Sequence, residues 1–558
     1  MIRTGETRLG LVLASAFAVL AACGPAVQPP LGPTVPTPTP TPAPAPTPAP
    51  TPPAGPPLVC TTDAPEGCRE AGRRHLELGA LDAAEESYRI SCTVALDAAG
   101  CTGVGAVLAV RGQADLAESW FRQGCEGGDA DGCYHLAIQV EARGNPGEAD
   151  RLYDGACASG VLASCVALGS LRLASADGDA EAAFRGACGA DGPILPAACS
   201  ALGRVLRDAG RPEEAQAAFV RACDAGDAAG CRELGQGMEV GSGAVDAFRR
   251  GCDAGDAEAC YESGRASLAE ARFDEAEASF RPGCERGHGR ACLELGHRLV
   301  ARGEVEEAEA SYRKACDDDV PEGCRALGAA RQGAGLADEA AELFGRGCEL
   351  RDPESCAVFG ALRQGAGDEA GAQAAFRTAC DGGRGDSCRA LGRMFEDGGD
   401  RREAERAYAA GCDAGNAPGS CTALGDFLAG RRRAEEATAA YRRGCDGGDA
   451  AACLAVGGRE SEAGDAATAE ADYRRGCDLG LAPACTAYGG ALEARGARWN
   501  DAQDVYRRAC DGDDGPGCHA LGVLLEAHDR FPDAIAAYRR GCLAGHAPSC
   551  DAAGMPAP

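Results

Sequence analysis

The chain has 558 residues, too many for one hydrophobic core, so it must fold as several domains or as a repeat array. Its formal charge is −30, and a surface this acidic argues against nucleic-acid binding, which needs phosphate neutralisation. Aromatic residues make up only 5% of the chain, against 80 glycines, so its elements must meet through small residues rather than large apolar plugs.

Residues 1–22 read as a targeting segment. Arg3 and Arg8 give a positive start. Leu9 to Ala22 is apolar but shorter than the roughly 20 residues a spanning helix needs. The segment ends Leu20-Ala21-Ala22-Cys23, which resembles the lipobox of bacterial lipoproteins. The resemblance implies cleavage before Cys23 and acylation of its thiol, with lipid as the membrane attachment. Gly24 rather than Asp follows, which in that family implies outer-membrane sorting within the cell envelope and leaves the leaflet open. Residues 23–57 continue as a Pro/Thr/Ala tract without apolar periodicity, expected as an extended tether of about 3.1 Å per residue.

From there the cysteines set the organisation. Of 33, Cys23 stands apart and the others fall into pairs. These are Cys60 with Cys68, Cys92 with Cys101, Cys125 with Cys133, Cys157 with Cys165, Cys188 with Cys199, Cys223 with Cys231, Cys252 with Cys260, and Cys284 with Cys292. Then come Cys316 with Cys324, Cys348 with Cys356, Cys380 with Cys388, Cys412 with Cys421, Cys445 with Cys453, Cys477 with Cys485, Cys510 with Cys518, and Cys542 with Cys550. Most partners lie eight residues apart, and successive pairs start about 32 residues apart. The period predicts a repeat solenoid over 58–552 and a short disordered tail at 553–558.

Two short helical patterns separate each pair from the next. Between Cys292 and Cys316, Leu295, Gly296 and Leu299 keep helical spacing, Gly303 breaks the chain, and Ala308 and Tyr312 share a face of a second helix. An aromatic stands four residues before each closing cysteine from Tyr88 to Tyr538, and an alanine four residues before that, from Ala84 to Ala534. Glycine stands four residues after the opening cysteine, as at Gly72, Gly264 and Gly522, with Ala137 as the departure. Small residues let the two helices approach, the aromatic fills the space beside the crossing, and one hairpin cannot bury that face alone.

Each pair brackets a turn. In Cys252-Asp-Ala-Gly-Asp-Ala-Glu-Ala-Cys260, Gly255 is placed to end one helix and Asp256 to cap the next. Along a straight helix eight residues would separate the sulfurs by about 12 Å, beyond the disulfide limit of about 7 Å, and the turn removes that obstacle. Equivalent cysteines of neighbouring repeats should lie roughly 10 Å apart, so pairing is expected within each unit. Zinc sites favour closer spacings with histidine, which these pairs do not match, so no metal is expected.

The Leu-Gly, turn glycine, alanine and aromatic positions resemble the tetratricopeptide repeat. The junction GCDAGDAEAC resembles that of Sel-like repeats, and its paired cysteines look like those of cysteine-rich secreted Sel-like proteins of bacteria. The resemblance spans Cys60 to Cys550 and implies an all-α fold: a right-handed αα solenoid of about fifteen hairpins whose first helices line a concave groove. Sel-like repeats carry a longer loop between their two helices, whereas these loops have tetratricopeptide length.

Nothing in the sequence announces catalysis or a cofactor. Seven histidines are scattered, and no H-E-x-x-H, G-x-S-x-G or phosphate loop occurs. The expected function is a non-enzymatic, envelope-anchored scaffold whose groove binds an unknown protein or peptide. The alternatives are a cell-wall or β-lactam hydrolase, which the cysteine-rich relatives suggest but for which the companion motifs of S-x-x-K are missing, and a passive spacer. The groove positions hold Arg69, Arg73, Arg204, Arg232, Arg265, Arg325, Arg389 and Arg393. Their forks suit carboxylates, or else pair with neighbouring acids.

Overall fold

A computed structural model describes residues 60–175, 179–189, 194–239 and 241–556. The leader, Cys23 and the tether lie outside the described residues. Within them, 31 α-helices and no strand are found. The helices alternate as first and second members of fifteen hairpins, followed by the short helix Ala547–Ala553, and each packs on its neighbours in chain order to form a helical repeat solenoid.

One repeat shows why the sequence folds this way. In the first helix, Gly385–Asp397, Cys388, Leu391, Gly392 and Phe395 recur at helical spacing and are buried. Gly399, at φ +80, turns the chain. Asp400 then caps the second helix, Arg401–Asp413, by accepting from the Glu403 N–H at 3.2 Å. On that helix Ala404, Ala407, Tyr408 and Cys412 face inward. The Tyr408 ring lies on Gly392, where a Cβ would stand 2.6 Å from it. Its hydroxyl donates to Glu396 at 3.0 Å.

This contact is the repeating unit of the core. Fourteen of the fifteen aromatics are buried, Tyr473 being half-buried, and burial of each contributes roughly 1.5–3 kcal/mol. Where Ala137 replaces the glycine, Tyr153 is still 1% exposed. A further small residue tightens the junction between repeats. Gly251 precedes its closing cysteine, and a Cβ there would stand 2.9 Å from that of Ala259 on the next helix.

All sixteen disulfides are local, with Cα–Cα distances of 4.4 to 4.9 Å; fifteen join the end of a second helix to the start of the next first helix, and Cys60 joins the segment before the first helix to Cys68 at its start. Gly255 (φ +103) ends one helix, and Asp256 caps the next by accepting from Ala259 N at 3.1 Å. Of the long Cys188–Cys199 insertion, Ile194 and Leu195 pack on the core, and the Leu195 N–H bonds the Ala187 carbonyl at 3.1 Å. At the end of the described chain Ala553 is still helical, and the Met555 N–H bonds the Cys550 carbonyl at 2.9 Å, so order extends past 552.

Candidate binding surface on the first helices

The eight arginines fall into two rows on the first helices. Arg69, Arg232, Arg325 and Arg389 directly follow an opening cysteine, while Arg73, Arg204, Arg265 and Arg393 stand four residues later, one helical turn on. The first row does something the sequence did not announce. Arg69 reaches Asp97 at 3.6 Å, Arg232 reaches Asp256 at 2.9 Å, and Arg325 reaches Asp352 at 3.7 Å. Each of these carboxylates is the N-cap of the next first helix.

Other residues do the same work at that position. Thr102 donates to the cap Asp129 at 2.5 Å and Thr486 to the cap Asp514 at 2.6 Å, while Ser200 bonds Asp227 and Thr422 bonds Asp449. Tyr261 stacks on the cap His288 with centroids 4.7 Å apart, and His519 lies 5.2 Å from the cap His546. The position is therefore a clasp between repeats. At Arg232 partial burial opposes the charge, but the bond to Asp256 raises the pKa overall.

The second row is paired as well, with one departure. Arg73 bonds Glu70 at 2.6 Å, Arg204 meets Glu233 at 3.7 Å, and Arg265 meets Glu262 at 3.4 Å beside the Tyr261 ring. The Arg73 bond lowers the Glu70 pKa. Arg393 has no ion pair among the described residues.

The departure has a local cause: Ala390 stands three residues before Arg393, where Arg73 and Arg265 have Glu70 and Glu262. The junction Cys412–Cys421 carries one extra residue, and the next first helix is capped by Ala417 instead of an aspartate. Arg389 therefore lacks the cap partner of Arg69, Arg232 and Arg325 and turns back to Asp386 at 2.9 Å. Together with Arg393 it lines a cavity of about 480 Å³ that also meets Thr422, Asp426 and Asp449. Those two carboxylates are engaged, Asp426 by the Tyr441 hydroxyl at 2.7 Å and Asp449 by Thr422. Two smaller first-helix cavities, of about 390 and 350 Å³, lie beside Arg325 and beside Arg69 and Arg73.

No family model and no curated protein matches the chain. Solved structures similar in fold include a protective antigen of uropathogenic Escherichia coli strains displaying an SLR fold. It is 16% identical, with 78% of this chain and 94% of that one covered, at a TM-score of 0.49. A Sel1 repeat protein from Oxalobacter formigenes is 19% identical over 56% of this chain and 91% of that one, at 0.35. Yeast Tom70 is 11% identical over 88% and 95%, at 0.29. At such identities and scores the likeness concerns fold alone.

Among the described residues, no group of three or more His, Cys, Asp or Glu converges as a metal site, and no helix is long and apolar enough to cross a membrane. Of the seven histidines, His288 and His546 stand at helix starts, and His528 stacks on Trp499 at 4.3 Å. His135 stacks on Phe121, and its burial lowers the imidazole pKa.

Proposed function

We propose that this chain is an envelope-anchored scaffold that holds a protein partner on its first-helix face, with the Arg389 and Arg393 cavity as the principal contact. The observation that carries the reading is a local loss of partners: the cap Ala417 leaves Arg389 without the inter-repeat carboxylate of its counterparts, and Ala390 stands three residues before Arg393, where Arg73 and Arg265 have Glu70 and Glu262. An Arg pair of this kind grips a carboxylate of a bound peptide. Fifteen stacked hairpins offer a long surface, and the Leu20-Ala21-Ala22-Cys23 sequence supports lipid anchoring at Cys23.

Crosslinking in intact envelopes, followed by affinity purification, tests the partner. A defined protein should be trapped by the wild-type chain and lost with Arg389→Ala and Arg393→Ala together. Equal capture by both would discard the cavity as the contact. Incorporation of labelled fatty acid into the wild type but not Cys23→Ser tests the anchor, and equal labelling would refute it.

A further inference from the structure

Along the second helices, ion pairs link repeat to repeat. The residue after a closing cysteine is often acidic, and an arginine two residues past the next aromatic reaches it. Arg250 meets Asp224 at 2.8 Å, Arg346 meets Asp317 at 3.2 Å, and Arg443 meets Asp413 at 2.7 Å. Arg475 meets Asp446 at 2.7 Å, Arg508 meets Asp478 at 3.2 Å, and Arg540 meets Asp511 at 2.6 Å. Consecutive rungs are missing twice: between Asp224 and Asp317, where Pro282 and Lys314 stand in place of the arginines, and again between the rungs at Asp317 and Asp413. Thr378 and Ala410 stand where the arginines should be, and Glu349 and Asp381 have no ion-pair partner among the described residues.

The second gap coincides with a cavity of about 760 Å³ walled by the helices Ala337–Glu349, Pro353–Gly365 and Glu369–Asp381. Both Glu349 and Asp381 line it. Its space comes from missing side chains. Gly345 follows the aromatic Phe344, at a position that holds Arg313 and Arg377 in the flanking repeats. A Cβ at Gly345 would stand 3.1 Å from the half-buried Phe359 ring, which lines the same cavity. Two cations are also present. Arg363 lies over Phe359 at 4.8 Å and is paired with Asp368 at 3.3 Å. Arg351, exposed and at φ +64, has no ion pair among the described residues.

We propose that this cavity receives an arginine-bearing segment of a partner protein, whose guanidinium groups fill the two empty rungs at Glu349 and Asp381. The ion-pair pattern of this chain specifies the missing group, since each intact rung is completed by an arginine. Phe359 offers a ring face to the aliphatic or cationic part of the same segment. Two arginines seven residues apart share one face of a helix and stand about 10 Å apart, so a single helical segment presents both to the cavity. Arg351 disfavours a polybasic run and favours isolated arginines. The site lies between two second helices and the first helix Pro353–Gly365 and shares no lining residue with the Arg389 and Arg393 cavity, so neither proposal depends on the other.

The test uses the full chain and a fluorescein-labelled, alanine-based helical peptide with two arginines seven residues apart. A peptide with two glutamates in their place is the control. At low ionic strength, fluorescence polarisation should show binding of the diarginine peptide only. Thr378→Arg restores a rung on the chain's own pattern and should weaken binding about two- to fivefold, as should Glu349→Gln with Asp381→Asn. Hydrogen exchange over Glu369–Asp381 checks that each variant is folded. No binding to the wild type, equal binding by the variants, or equal binding of the diglutamate peptide would overturn the proposal.

Discussion

Replacing Gly392 by Ala puts the central packing contact to the test. The new methyl would stand 2.6 Å from the Tyr408 ring. That ring is 2% exposed, its hydroxyl is tied to Glu396, and Phe427 of the next repeat lies 5.6 Å away, so its retreat is resisted from three sides. Overpacking of this kind costs about 1–3 kcal/mol, here the upper part of that range, about 2–3 kcal/mol, because the ring is held, and the better helix propensity of alanine returns about 1 kcal/mol. The expected net loss is about 1–2 kcal/mol, a 5- to 30-fold rise in local opening. Because a solenoid couples mainly to its neighbours, amide hydrogen exchange should quicken over Gly385–Asp413 and the following hairpin, while distant repeats keep their protection. Two controls calibrate the effect. Gly328→Ala, where the methyl would meet Phe344 at 3.2 Å, should lose less. Gly155→Ala, with nothing within 4 Å, should gain about 0.5–1 kcal/mol. Ala137 shows that a ring can be seated beside a methyl in this register, so the loss at Gly392 measures how far Tyr408 can resettle. Protection at Gly392→Ala equal to or above wild type would refute the reasoning.

Asp256→Ala should loosen the helix Ala257–Ala269 by about 1 kcal/mol for the lost cap, with at most a further ~1 kcal/mol for the pair with half-exposed Arg232, read as local hydrogen exchange. Removing the Cys445–Cys453 staple by double alanine substitution should cost that junction about 2–3 kcal/mol and open it to limited proteolysis, leaving the other fifteen junctions resistant. Burial and then the charge of neighbouring His546 lower the His519 pKa below its ordinary 6.5. A base that resists protonation when folded stabilises fully above that value and less as pH falls through it. The helix Ala547–Ala553 should therefore exchange faster at pH 5.5 than at 7.5 after correction for intrinsic rates, and His519→Phe should flatten the difference.

Much of the fold was legible because its determinants are local. The cysteine pairs, the glycine under each aromatic and the small residue four positions before it repeat at fixed offsets, and each acts within one hairpin or one junction. The clasp between first helices was not legible for two reasons. Arg69 and Asp97 lie far apart along the chain and meet only once the repeats are stacked. The position is also filled by Arg, Thr, Ser, Tyr or His, so no single residue type marks it. The same gap explains the arginine row, since spacing showed which face the side chains shared but not that seven of the eight would be met by carboxylates. Arg389 stood out only when the extra residue before Cys421 was seen to leave Ala417 at the cap.

The short reach of the sixteen covalent links also shapes how such a chain can mature. Thirty-two thiols could cross-link in an immense number of wrong ways, yet each correct partner follows within about a dozen residues of chain, before distant competitors are present. Closure can therefore proceed from one end to the other as the polypeptide lengthens, with little need for later reshuffling. A protease cut inside any one bracketed turn would leave the two fragments tethered by the disulfide that spans it.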